Sequence, residues 1–189
     1  MNLLTQQLPD AIEIDGVEYK IKTDYRGCLR ILQALEDPEL SEQERCFVLI
    51  DNLFEEIPTN VQRAVDLGLK FINTGDEVVE PEEEPMRLFS FDHDGNFIYA
   101  AFQQTHGIDL EQTTIHWWKF MALFMDLGSE TAFCQLVSFR KRIKSGTATK
   151  EELKEYRNNP ELFDVPEPDR RTPQEKLEEE AFLRLINTE

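Results

Sequence analysis

Apolar residues alternate along the first stretch of the chain before they begin to spiral. In AIEIDGVEYKI, Ala11 to Ile21, two alternating runs flank Asp15-Gly16. That pair suits the positive φ values of a two-residue type I′ turn, so the segment is expected to form a β-hairpin. Its register places Ile14 opposite Val17 and Ile12 opposite Tyr19, on one face with Ile21, and puts Glu13 and Glu18 on the other. A lone hairpin is marginal in water, so its apolar face is expected to lie on something else. The period then becomes helical. Asp24 is placed to cap a helix over about Tyr25 to Glu36, stopped by Asp37-Pro38. Ser41 and Glu44 have the spacing of a capping box for a second helix, expected to bury Cys46, Phe47, Ile50 and Phe54 and to end near Pro58. A third is expected from about Thr59 to Asn73, with Val61, Ala64, Val65, Leu69 and Ile72 on one side and Gly75 beyond its end.

DEVVEPEEEP, Asp76 to Pro85, breaks this pattern with two prolines and a dense run of acids. It reads as a solvated connection rather than an acidic docking segment. Helical periodicity resumes at Phe89 and continues to about Lys144, interrupted at Gly107 and Gly128. After that, Thr149 and Glu152 signal a short helix, residues 158–173 look extended, and Thr172-Pro173 opens a last helix. The expected fold is therefore mainly α: a helical domain with an N-terminal β-hairpin and a loosely attached helical C-terminal tail. The divisions are 1–75, hairpin plus helices; 76–88, acidic linker or loop; 89–145, a central helical block packed with the N-terminal part; and 146–189, a C-terminal appendage. The chain beyond about Gly146 is expected to be dispensable for folding.

Charge narrows the partners. The formal net charge is -18 at pH 7 and the pI is about 4.5. A nucleic-acid binder needs a basic surface, and so does a protein drawn to anionic lipid. Neither partner is expected; a protein partner is, with self-association left open. The longest apolar run, Phe120 to Met125, is far too short to span a membrane, and MNLLTQQLPDAIEI lacks the features of an export signal. A cytoplasmic location is expected, and the three cysteines, Cys28, Cys46 and Cys134, read as reduced residues on apolar helical patterns.

Candidate chemistry is sparse. In FSFDHDGN, Asp92, Asp94 and Asn96 fit the first three ligand positions of a calcium loop. Gly95 comes too early, Phe97 occupies the glycine position, and Gln103 stands where a bidentate glutamate is needed. Helix capping by Asp92 or Asp94 is the better account. His93, His106 and His116 lack the spacing of a helical zinc pair, and there is no phosphate-binding or nucleophile-elbow motif. Arg140, Lys141, Arg142 and Lys144 are read as complementing the C-terminal end of their helix, with contact to an acidic partner as the alternative. No catalytic residue, metal or cofactor is expected, and the chain does not read as an enzyme.

The segment TTIHWWKFMALFMDLG is the most distinctive. Trp117, Trp118, Met121, Phe124 and Met125 spread over a broad arc, while His116, Lys119 and Asp126 leave a narrow polar stripe. Adjacent residues point about 100° apart on a helix, so one tryptophan is expected to anchor the core and the other to lie nearer the surface. These five residues are the sequence's candidate partner-binding set.

Ile98 to Phe102 (IYAAF), Gly107 to Leu110 (GIDL) and His116 to Phe120 (HWWKF) together resemble the central block of the bacteriophage gene-product-fifteen family, small proteins of siphophages and prophages of Gram-positive bacteria. The hairpin and the helices before the acidic loop resemble the family too, and the likeness covers most of residues 8 to 145. The tail departs from it: FRKRIKSG is followed by an acidic extension where family members often end in a short basic stretch. The resemblance implies no activity. It implies a gene just before the tape-measure gene, and hence a tail assembly chaperone that holds the tape-measure protein soluble. A minor structural component of the virion, or a protein binding a host factor, are the alternatives.

Overall fold

The computed structural model describes residues 5–76 and 86–165. Residues 77–85 of the acidic run and the expected helix opening at Thr172-Pro173 lie outside the described residues. The chain begins with strands β1 (Ala11–Ile14) and β2 (Val17–Lys20), paired antiparallel with Ile14 opposite Val17 and Ile12 opposite Tyr19. Asp15 and Gly16 both hold positive φ, 52° and 82°, as the two-residue turn requires. The hairpin rests on the end of the second helix. Lys22 N–H donates to Leu53 O at 2.7 Å, and Glu55 N–H to Lys20 O at 3.1 Å. Ile14 and Ile21 are buried there, whereas Val17 at the turn is exposed.

Helices α1 (Tyr25–Glu36), α2 (Glu42–Leu53) and α3 (Val61–Ile72) follow. Asp24 caps α1, accepting from Arg26 N–H, and Ser41 and Glu44 form the reciprocal capping box of α2. Asn60 caps α3, its side chain accepting from Arg63 N–H. The packing of α2 on α3 is close because Gly68 has no side chain: a Cβ there would lie 2.7 Å from Leu49 Cδ2. Leu49, Ile50 and Leu53 form the buried stripe of α2. Phe47 is not in it, contrary to the sequence reading: at 100° per residue it lies a quarter-turn or more from the stripe's centre, and it is 66% exposed.

The second half contains α4 (Gly95–His106), α5 (Trp117–Met125) and α6 (Ala132–Lys144), then the short α7 (Lys150–Asn158) and α8 (Pro160–Phe163). Gly107, in the left-handed region at φ 66°, ends α4 as its position suggested. The two halves share one core. Phe120 of α5 stacks on Tyr25 of α1 at 4.6 Å between centroids and on Phe102 of α4 at 4.9 Å. Burying a ring of that size contributes about 2–3 kcal/mol, so Phe120 fastens the central block to the N-terminal helices. Phe89 and Phe91 pack against Phe124 on the same column.

The described part of the appendage is tied to α6. Phe163 stacks on Phe139 at 4.3 Å, Val165 is buried, and Arg142 pairs with Glu152 of α7 at 2.6 Å. Residues 147–165 therefore contribute to the packing of α6.

Candidate partner-binding surface

The tryptophan helix turns out to be a structural device. His116 caps α5: its Nδ1 accepts from Trp118 N–H at 3.1 Å, and its Nε2 lies 2.9 Å from Pro9 O. That geometry needs the neutral ring with the proton on Nε2, donating to the Pro9 carbonyl. His116 is thus a cap rather than a member of the polar stripe. The two indoles then straddle the end of α3. Trp117 Nε1–H donates to Ile72 O and Trp118 Nε1–H to Phe71 O, each at 2.8 Å. Carbonyls in the last turn of a helix have no partner within it. Two adjacent tryptophans, pointing about 100° apart, reach two consecutive ones, Ile72 O and Phe71 O, the second of which also accepts from Thr74 N–H at 3.0 Å. Trp118 also stacks on Phe71 and lies against Gly75, whose φ of 95° carries the chain away beneath the ring.

Both tryptophans are consequently buried, Trp117 at 1% and Trp118 at 8% exposure. The expectation that one lies nearer the surface is wrong, and the reason is that a second docking element, the end of α3, receives the second ring. Phe124 is buried and Met121 half-buried. Met125 alone of the five is open, at 79%. The five residues do not make one accessible face.

The DHDGN segment is also structural, in a different manner from a cap. Asp94 occupies the N-cap position of α4 but makes no side-chain capping bond. Its carboxylate takes a two-pronged contact from Arg140 of α6, Nη1 to Oδ2 at 2.7 Å and Nη2 to Oδ1 at 3.0 Å, and both side chains are 1% exposed. The remaining donors of the guanidinium go to Leu88 O, Leu162 O and Phe163 O. All five N–H groups are used. Arg140 is therefore a clasp joining the segment before α4, the start of α4 and the end of α8. This replaces, for Arg140, the reading as a charge complementing its helix end. Asp92 accepts from Gln33 instead of capping. His106, expected near a helix end, has its Nε2 2.9 Å from Leu123 O of α5.

Among the described residues no group of three His, Cys, Asp or Glu is placed to hold a metal. Burial pushes the Cys28 thiol up to about 12, with Asp24 adding to the shift, so this cysteine is no nucleophile at neutral pH. A second depression, lined by Tyr25, Arg26, Ile98 and Tyr99, is small, ≈240 Å³, and its tyrosine hydroxyls already bond Leu110 O and Asp109. Among the described residues no helix is long and apolar enough to cross a membrane.

Among the described residues a groove of ≈420 Å³ lies open between α2 and α3. Ile50 and Cys46 form its floor; Phe47, Ile57 and Val61 rise around it, exposed by 66%, 74% and 47%. The sequence reading assigned Phe47 and Val61 to the core and did not single out Ile57. A usable signal existed: Cys46 to Ile50 is five apolar residues in a row, more than one helix face can bury. The groove lies on the N-terminal half, away from the tryptophans.

No curated protein and no solved structure matches the chain. Residues 4–165 match the family described as Bacteriophage Gp15 protein. That span takes in the hairpin, the clasp and the tryptophan helix alike, and the chain belongs to the Bacteriophage Gp15 family.

Proposed function

We propose that this phage protein is a non-enzymatic tail assembly chaperone that binds the tape-measure protein before the tube forms around it. The observation that carries the reading is where its distinctive side chains go. His106, His116, both tryptophans, Asp94 and Arg140 are engaged in holding the fold, while an apolar groove with acids at its edge lies open among the described residues. Such a groove suits the apolar face of a partner helix, which supports a binding role. The resemblance to a family encoded beside the tape-measure gene supplies the client. Work in the cytoplasm of the host bacterium, before the tail is complete, follows from that role.

The test is mass spectrometry of purified virions alongside the lysate of infected cells. A chaperone is abundant in the lysate and absent from the particle. Recovery in stoichiometric amount from the particle would support the minor structural tail component instead.

A further inference from the structure

The groove between α2 and α3 has a chemistry specific enough to name its occupant. Its apolar wall, Phe47, Ile57 and Val61, is a short row between two helices, the shape that receives the apolar stripe of a third. Its edge is acidic. Glu42 and Asp51 line it, Glu55 and Glu56 stand exposed immediately before Ile57, and the lining contains no lysine or arginine. We infer that this groove is a docking site for an amphipathic helix of another protein whose apolar stripe is flanked by lysine or arginine.

Two other occupants fit less well. A second copy would bring a chain of net charge -18 against its twin and set the acidic edge against itself. The three exposed side chains offer on the order of 300 Å², well below the roughly 800 Å² per partner of a stable dimer. The chain's own residues 166–189 carry seven acids against four bases, so they too would meet an edge of their own sign. A basic-flanked helix instead gains electrostatic complementarity, which favours fast association and a definite register. Cys46 on the floor is half-buried and serves as a reporter of occupancy.

The inference rests on the reading that the chain works by binding protein, but not on which phage protein is the client. Its test therefore uses a synthetic probe: an amphipathic peptide of about 18 residues, leucines along one face and lysines beside them, labelled for fluorescence anisotropy against the full chain. Phe47→Ser with Ile57→Ser is the disrupting variant, and Met125→Ser, the exposed methionine outside the groove, is the control. Thermal melting confirms that each variant folds. Expected are saturable binding, at least tenfold weakening in the double variant, little change in Met125→Ser, and protection of Cys46 from alkylation by the peptide. Equal binding by all three proteins would reduce the effect to bulk charge and overturn the inference, as would no binding at all. So would tighter binding of a synthetic 166–189 peptide, or a wild-type dimer that the double variant abolishes. Failure here leaves the tail assembly reading to its own test in virions.

Discussion

Replacing Arg140 with methionine tests the clasp that holds the second half together. The change keeps an unbranched side chain on the buried side of α6 but strands the Asp94 carboxylate, which is 1% exposed. Removing one partner of a buried pair costs about 3–5 kcal/mol, because the other charge is left unpaired in a poor dielectric. Three carbonyls, at Leu88, Leu162 and Phe163, also lose their donor. Water can reach some of them once the clasp opens, so their share is smaller, about 1 kcal/mol each at most. The expected loss is therefore about 5 kcal/mol, or roughly 10–20 °C in melting temperature for a chain of this size. Urea unfolding followed by the fluorescence of the two buried tryptophans measures it. The double variant Arg140→Met with Asp94→Leu should recover the charge penalty but not the carbonyl bonds. Hydrogen exchange at residues 160–165 should quicken in both variants. A loss below about 1 kcal/mol in Arg140→Met would refute the clasp.

Trp117→Phe leaves the Ile72 carbonyl without its indole donor and should cost about 1–3 kcal/mol, whereas Trp118→Phe should cost less, about 1 kcal/mol, because Phe71 O keeps its bond from Thr74 N–H; wild-type stability in Trp117→Phe would contradict the account of the doubled tryptophan. Calcium should show no saturable site in calorimetric titration at about millimolar concentration, because Asp94 is already committed to Arg140 and Asp92 to Gln33; a heat that saturates would refute this. Of the three thiols, Cys28 should react with a disulfide reagent at pH 8 at least about a hundredfold more slowly than Cys46, and at the same rate as Cys46 only in denaturant; comparable native rates would contradict its burial.

Local rules carried most of the secondary structure. The Asp15-Gly16 turn, the Ser41–Glu44 box and the Gly107 stop appear where the residues placed them, because each is decided within a few positions of the chain. What could not be read locally was which of two competing surfaces an apolar or charged residue would meet. Trp118 looked like an excess aromatic on α5 until the end of α3 arrived to receive it. Phe47 looked like core because α2 has more apolar residues than α1 and α3 can cover. Arg140 was hidden in a cluster of four bases, Arg140 to Arg142 and Lys144. Its one distinguishing mark is that it continues the buried stripe Phe133, Leu136 of α6 at helical spacing, which a solvated arginine would not do. In each case the deciding partner lies tens of residues away, and only the assembled fold supplies it.

The central claim is that an acidic phage protein holds a client helix in the groove beside Phe47 and Ile57. Co-expression of the full chain with the tape-measure protein of the same phage, followed by affinity capture and size-exclusion chromatography, tests it most directly. The account predicts a soluble complex with the wild-type chain and with Met125→Ser, and loss of that complex with Phe47→Ser and Ile57→Ser in a chain that still melts like the wild type. A complex equally strong in the double variant, or no complex with the wild type, would contradict it.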